Sequence, residues 1–285
     1  MDGSGPHAGR AQAYFSVSSM FRDHVRDLPE WIEFHRLVGA ERFFLYNNAS
    51  SEDWQTALGP YLDSGIVTVH DWPLSPGLTE AIDHCIEHHR HDSHWISFID
   101  VDEFLFAPDG ASVPDVLRDF EQSPGVGVNR YPFGTSGHLT RPEGLVIENY
   151  VRRAAVLNNV IKSIVHPPAV VRSQGVHCFV YEDGLMAVDE LHRPLDPARM
   201  IGPNRRSGSA FTQTFTAERL RVNHYITKSF EEYDAKMSLP RPDTGGNREN
   251  PALDWQVVRM HAVRDETILR YVPQLKAALE GVSRG

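Results

Sequence analysis

The sequence predicts an α/β fold, a single domain in which a mainly parallel sheet carries helices on both faces. Strand-like and helix-like segments alternate from Tyr14 to Trp95, the rhythm of successive βα crossovers. The stretch Trp95-Ile96-Ser97-Phe98-Ile99-Asp100-Val101-Asp102-Glu103-Phe104 reads as a strand buried on both faces that ends in three carboxylates. A length of 285 residues with 41% hydrophobic content suits one extensive core.

Taken in order, residues 1–13 are small and polar and predict a disordered tail. Tyr14-Phe15-Ser16-Val17 starts the first strand. Pro29 opens a helix whose apolar side is Trp31, Phe34, Leu37 and Val38, and Gly39 stops it. Arg42–Tyr46 is a second buried strand, ended by Asn47-Asn48. Ser50-x-x-Asp53 predicts a capping box for a helix through Trp54, Leu58 and Leu62 to Gly65. Ile66–Val69 is the third strand, Thr79–His91 the third helix, and the Trp95 stretch the fourth strand.

Beyond Glu103 the rhythm loosens. Ser112-Val113-Pro114-Asp115 caps a short helix, and Gly125–Tyr131 is a strand that runs into the small-residue loop Phe133-Gly134-Thr135-Ser136-Gly137-His138. Strand-like pieces recur at Ile161–Val165, Val176–Tyr181 and Leu220–Tyr225. Residues 202–214 and 240–250 read as polar, mobile loops. Ser229-x-x-Glu232 caps another helix, and a last amphipathic helix carries Ile268, Leu269, Val272 and Leu275, bent by Pro273.

A formal charge of -10 argues against nucleic acid or an anionic membrane as the main partner. A phosphorylated substrate would therefore need local cations or a metal. Cys85 and Cys178 make no disulfide framework, which suits a reducing compartment. No apolar run approaches the ~20 residues of a membrane span, and Met1–Pro6 does not read as a signal peptide, so a soluble, cytoplasmic protein is expected. Only four of the 28 basic residues are lysines.

The carboxylates carry the chemistry. Desolvating a lone carboxylate costs several kcal/mol or more, so Asp100, Asp102 and Glu103 must sit where the strand leaves the core, at the edge where α/β sheets bind ligands. Alternation puts Asp100 and Asp102 on one face, where like charges repel unless a cation joins them. Hard oxygen ligands suit Mg²⁺ or Mn²⁺. The competing reading is a carboxylate pair held by arginines. A second cluster, His84, His88, His89, His91 and His94, contains a zinc-capable i, i+4 pair, His84 and His88. It lacks a closed set of four ligands and predicts a solvated helix face.

Several phrases together resemble glycosyltransferase family 92, nucleotide-sugar enzymes of the GT-A fold. They are Leu28-Pro29-Glu30-Trp31-Ile32-Glu33-Phe34-His35, Phe98–Phe104, Phe133–His138, Lys162-Ser163-Ile164-Val165 and Asn223-His224-Tyr225-x-x-Lys228-Ser229, spread over residues 14–237. Two places depart from the pattern. Arg22-Asp23-His24 stands where relatives usually read Lys-Asn-Glu, and Asn47-Asn48 where they usually read Asp-Asn. The resemblance implies a GT-A type, Rossmann-like mixed sheet and an inverting transferase moving a hexose from a nucleotide-sugar, UDP-linked for preference. The acceptor, a glycan, natural product or peptide, is left open. Residues 14–110 would form the donor half, 111–240 the acceptor half and 241–285 a C-terminal loop and helices.

The resemblance also distributes roles. Asp102, Asp100 and His224 would hold Mn²⁺ or Mg²⁺, with Lys228 and Lys162 on the diphosphate. Ser18, Asn47 and Asn48 would lie near the nucleoside, where amides can read a uracil edge. His138 is the candidate base for the acceptor hydroxyl, with Glu143, Glu148 and Asp189 as rivals. Two other functional classes compete. One is a metal-dependent hydrolase with Asp100, Asp102 and the His84/His88 face as a two-metal centre; the other is a noncatalytic sugar or nucleotide binder.

Overall fold

The computed structural model describes residues 11–201, 206–248 and 260–282. In chain order, β1 (Ala13–Phe21), α1 (Leu28–Leu37), β2 (Arg42–Asn47), α2 (Trp54–Asp63), β3 (Val67–Asp71), α3 (Leu78–His89) and β4 (Ser93–Phe98) keep the predicted alternation. Next come β5 (Glu103–Phe106), α4 (Val113–Leu117), β6 (Gly125–Pro132), α5 (Val146–Asn149), β7 (Arg152–Arg153), β8 (Asn158–Val165), β9 (Val170–Ser173), β10 (Phe179–Tyr181) and β11 (Val188–Asp189). The remaining elements are β12 (Met200–Ile201), β13 (Arg206–Ser207), β14 (Arg221–His224), α6 (Phe230–Ser238), β15 (Val263–Arg264) and α7 (Val272–Val282).

The main sheet has nine strands in the order β3-β2-β1-β4-β8-β6-β14-β5, with β11 beside β6. β1 pairs in parallel with both β2 and β4, so the chain reverses its direction of travel across the sheet at β1. β8 runs antiparallel to both β4 and β6, which leaves β6 and β14 pointing the same way as β1. The carboxyl ends of β1, β2, β4, β6 and β14 therefore share one edge, and the crevice beside the β1/β4 switch opens there. This is the mixed, mainly parallel α/β sheet that the sequence predicts.

Apolar layers cover both faces. On one side α1 buries Trp31, Ile32 and Phe34, with Phe34 meeting Phe104 and Tyr271 edge to face at 5.0 and 5.3 Å. On the other, Ala81, Ile82, Cys85 and Ile86 of α3 pack on Phe44, Phe98 and Phe179. Each such large side chain contributes roughly 1.5–3 kcal/mol by leaving water.

Three local expectations change. The Trp95 stretch is not one strand: β4 stops at Phe98, and the Glu103 N–H donates to the Asp100 carbonyl at 2.9 Å to close a turn. Beyond it β5 pairs antiparallel with β14 at the far end of the sheet order. Strand alternation therefore does not govern Asp100 and Asp102, which sit in the turn itself. Asp53, not Ser50, caps α2, accepting from the Thr56 N–H at 3.1 Å. The predicted last helix is divided beside Pro273: Thr267–Tyr271 is a 3-10 turn, and α7 starts at Val272 with Pro273 in its first turn, where a missing N–H costs nothing. The boxes at Ser112 and Ser229 form as the sequence predicts. Residues 1–10 of the predicted tail, and 202–205 and 249–250 of the predicted loops, lie outside the described residues.

Candidate active site

The turn after β4 is fixed from below. The Trp31 indole Nε1 of α1 donates to the carbonyls of Asp100 and Glu103 at 3.2 and 2.9 Å. The Asp100 N–H donates to Glu103 Oε2 at 3.0 Å, and the Tyr225 N–H to the Asp102 carbonyl at 2.8 Å. Glu103 is fully buried and supports the turn rather than facing the cleft. It accepts from Arg130 Nη1 at 2.9 Å, and Lys162 Nζ lies 3.0 Å away.

Antiparallel pairing of β5 with β14 sets His224 opposite Glu103, which brings the imidazole to Asp102. His224 Nε2 lies 3.5 Å from Asp102 Oδ1, and its Nδ1 lies 3.6 Å from Glu103 Oε1. Lys162 Nζ donates to Asp100 Oδ2 at 2.8 Å, and Lys236 Nζ of α6 donates to Asp102 Oδ2. Burial works to raise the Asp102 carboxyl, but Lys236 and then His224 outweigh it and hold it well below the ordinary carboxylate range. Burial likewise opposes ionisation of Asp100, and Lys162 keeps it lowered. The carboxylates are ion-paired, as the competing reading holds, but to lysines rather than arginines.

Above this floor opens a cleft of about 400 Å³, with walls from the ends of β1, β4 and β14, from α6 and from residues 239–243. Among the described residues its cationic lining, Arg22, Arg130, Lys162, Lys236, Arg241 and Arg248, outnumbers the lining carboxylates Asp100, Asp102 and Asp243. A chain carrying -10 thus concentrates positive charge at one place, the field an anionic ligand needs. His177 also lines the cleft, with its Nδ1 buried and without a hydrogen-bond partner among the described residues. Burial, then the Lys162 and Arg130 charges, hold that imidazole neutral well below its ordinary value.

The structure brings Asp100, Asp102, Lys162 and His224 together, as expected. Others are engaged by neighbours inside the protein, Asn48 among them although it lines the cleft. Lys228 is buried on Asp27, whose carboxylate also binds Arg141, so its ammonium is spent inside the protein. Both Asn48 amide hydrogens go to the carbonyls of Trp72 and Leu74, at 2.7 and 2.8 Å, and its Oδ1 accepts from Arg22. Asn47 donates to Asp71 and accepts from the Ser50 N–H, both at 3.0 Å. These amides brace the edge instead of presenting a free face to a base. Ser18 lines a small cavity of about 20 Å³ that adjoins the cleft and shares Met20, Asp100 and Lys162 with it.

None of the candidate bases lines the cleft. His138 Nε2 contacts the Asn149 carbonyl at 3.3 Å, and the His138 and Leu139 carbonyls accept from the first N–H groups of α6, so this loop caps the start of that helix. Glu143 is almost fully exposed, Glu148 pairs with Lys276, and Asp189 is buried on Arg193. The histidine cluster forms a separate stack. His84 rests on His88 at 3.9 Å and meets the Tyr46 hydroxyl at 2.9 Å, so it is half-buried rather than solvated; His88 is exposed. His70 and His89 share a contact between their Nε2 atoms at 2.9 Å, and His89 Nδ1 meets Asp92 at 2.7 Å. His84 and His88 do not line the cleft, so the two-metal arrangement with Asp100 and Asp102 is not built. Among the described residues no three His, Cys, Asp or Glu side chains are grouped to hold an ion by themselves.

Sequence reasoning missed Lys236, Arg130, Arg241, Arg248, Asp243 and His177. Only Lys236 carried a signal, as one of four lysines in a chain that otherwise uses arginine.

The fold and site define an α/β scaffold with a cation-lined crevice at its strand ends, beside the β1/β4 switch. A profile of glycosyltransferase family 92 matches residues 12–198, and the chain belongs to that family. It is 33% identical over 189 residues to Glycosyltransferase family 92 protein Os08g0121900 of Oryza sativa subsp. japonica, covering 64% of this chain and 32% of that one. It is 31% identical over 180 residues to Glycosyltransferase family 92 protein RCOM_0530710 of Ricinus communis, covering 61% and 32%. A match of 105 residues at 29% identity reaches Galactan beta-1,4-galactosyltransferase GALS2 of Arabidopsis thaliana, covering 33% of this chain and 20% of that one. The chain spans about a third of the length of the two family 92 relatives. Solved structures give weak likenesses: S. aureus TarS with UDP at 10% identity and TM-score 0.38, covering 55% of this chain and 47% of that one. Glucosyl-3-phosphoglycerate synthase from Mycobacterium tuberculosis with Mn²⁺ and UDP gives 15% and 0.35, covering 58% and 62%. Among the described residues no helix is long and apolar enough to cross a membrane.

Proposed function

We propose that the chain is a divalent-cation-dependent, inverting glycosyltransferase of GT-A type that moves a hexose from a UDP-linked donor to an acceptor hydroxyl. One observation carries the reading: Asp102 and His224 face each other across 3.5 Å in a cleft where cations outnumber carboxylates. A hard carboxylate oxygen beside an imidazole nitrogen suits Mn²⁺ or Mg²⁺, ions that commonly take one or two protein ligands and complete their shell with substrate phosphate and water. The donor set fits. Asp102 and His224 would hold the ion, with Asp100 beside them, its Oδ2 already engaged by Lys162. When bound, the ion supplies Lewis-acid neutralisation of the leaving diphosphate.

The chain's own residues do the rest. Lys162 and Arg130 keep the floor charged and rigid, while Arg22, Arg241 and Arg248 line the space an anionic diphosphate would fill. Donor binding draws on both proposed halves, since Asp102 precedes residue 110 and His224 follows it. An inverting displacement also needs a base for the acceptor proton. Of the lining carboxylates, Asp243 stands outside the floor; it bonds Arg241 Nη2 at 2.8 Å, which keeps it ionised. We assign it that role in place of His138. Cys85 and Cys178 are buried and form no disulfide, in keeping with the reducing, cytoplasmic setting expected from the sequence.

The test is a panel of nucleotide-sugars offered with and without Mn²⁺, following nucleotide release and acceptor modification. Transfer from a UDP-hexose that stops on chelation and returns with Mn²⁺ is the expected result. Full turnover after exhaustive EDTA treatment would overturn the metal reading. Release of sugar to water faster than to any acceptor would favour hydrolysis.

A further inference from the structure

The cleft floor already holds a cation of its own. Lys236 Nζ donates to Asp102 Oδ2 and to the Ile226 carbonyl at 3.1 Å, on the oxygen next to the one that faces His224. With the ammonium in place Asp102 is 7% exposed, so an ion approaching Oδ2 from the cleft meets Lys236 there. Two features make this pair exchangeable. A lysine is a compact point charge on a flexible stem, without the planar fork that locks an arginine onto a carboxylate. The helix that carries it is also lightly held: α6 has no buried residue. Its first turn is tied down by Tyr150 and Arg141 on Glu232, at 2.8 and 3.0 Å. Past its end, the Pro242 carbonyl accepts from the N–H groups of Gly77 and Leu78, at 3.0 and 3.1 Å, at the start of α3. Between those anchors Lys236 is the link from α6 to the floor.

We propose that Lys236 is a tethered stand-in for the divalent ion: it neutralises Asp102 while the cleft is empty, and moves to the donor diphosphate when Asp102 takes a divalent cation. This rests on the proposed function, because it needs a cation at Asp102. Two cations compete for one carboxylate, so the bound lysine weakens metal binding in the absence of donor. Once it leaves Asp102, the freed ammonium lies within the same cleft as the incoming phosphates. Metal and donor would thus bind together better than either binds alone.

The experiment compares wild type with Lys236→Met, which keeps the apolar stem and removes the charge, and Lys236→Gln as a second variant should the first fold poorly. Mn²⁺ affinity without nucleotide is measured by electron paramagnetic resonance, and UDP affinity at saturating Mn²⁺ by calorimetry. The variant should bind Mn²⁺ about 10-fold more tightly and UDP about 10-fold more weakly, shifts in opposite directions that general damage to the site would not give. Unchanged or weaker Mn²⁺ binding in a folded variant overturns the proposal while leaving the transferase reading intact, provided wild type binds both ligands. Tighter Mn²⁺ with unchanged UDP overturns the transfer of Lys236 to the diphosphate. Absence of Mn²⁺ binding in wild type and variants alike overturns the cation site and this inference together.

Discussion

Glu103→Gln is the sharpest probe of the site's foundations. The wild-type carboxylate is fully buried and faces Arg130 Nη1 at 2.9 Å, Lys162 Nζ at 3.0 Å and the Asp100 N–H at 3.0 Å. An amide of the same shape has one acceptor oxygen in place of two and no charge. Its NH₂ must then face a cation or the Asp100 N–H, Arg130 loses its carboxylate partner, and Lys162 keeps Asp100 as counter-charge. Breaking a buried ion pair by removing one partner costs about 3–5 kcal/mol, since the remaining charge stays desolvated. With roughly 2–4 °C of melting temperature per kcal/mol in a chain of this class, the midpoint should fall by about 6–20 °C. Thermal unfolding followed by circular dichroism reads this directly, and Mn²⁺ binding should weaken in parallel as the Asp100–Asp102 turn loosens. A variant melting within 2 °C of wild type would refute the buried network as the support of the site. Adding Arg130→Met should recover part of the loss, because it removes one of the stranded charges.

Asp102→Asn should fold normally, lose Mn²⁺ binding and lower turnover by several orders of magnitude; near-wild-type turnover would displace Asp102 from the centre. Asp243→Asn should lower kcat by roughly 10²–10⁴-fold with donor affinity little changed, whereas His138→Gln should keep wild-type turnover; the reverse result would restore His138 as base. The pair His84→Gln and His88→Gln should leave activity and metal demand unchanged, with a small stability loss from the Tyr46 contact, and loss of catalysis would contradict that. Burial pushes His35 down to about 3, below its unfolded value near 6.5, so its stabilising effect is complete above pH 6.5 and is lost as pH falls toward 3. Urea unfolding at pH 7.5 and 5.0 should show wild type losing about 2 kcal/mol more than His35→Gln, and equal losses would refute it.

The alternation of apolar runs and turn residues was enough to foresee the sheet, because β1 to β4 are local units joined by single helices. What failed was register beyond β4. Ile99 and Val101 extend the apolar pattern through a turn, so one strand was read where two exist, and the partner of β5 lies more than a hundred residues later in β14. Asp100 and Asp102 were legible because carboxylates are unusual at the end of so apolar a run, and His224 through the resemblance of Asn223-His224-Tyr225 to the family pattern. Lys228 was misplaced, and Asn48 lines the cleft with its amide already engaged, for a shared reason: their residue types suit a ligand, but whether an ammonium or amide is available depends on neighbours such as Asp27 and Leu74 that spacing does not reveal. His138 stands beside the acceptor side in sequence, yet its loop is bonded to the first turn of α6 and does not line the cleft.

The phrase Leu28–His35 belongs to the site without touching the cleft. Trp31 holds the two carbonyls that bracket the Asp100–Asp102 turn. One helical turn later, His35 Nδ1 donates to the Trp31 carbonyl at 2.7 Å while its Nε2 accepts from the Leu105 N–H at 3.2 Å. These contacts require the neutral, Nδ1-protonated tautomer, and a second proton would break the bond to β5. Glu30, on the same helix, accepts from the N–H groups of Val146 and Ile147 at 2.7 and 3.0 Å. Burial pushes its carboxyl up to about 7 against those bonds. A single helix thus fixes the Asp100–Asp102 turn, the strand that follows it and the start of α5. The charged floor can stay ionised under the protein because α1 holds its backbone still, leaving Lys236, on the lightly anchored α6, as the part free to move.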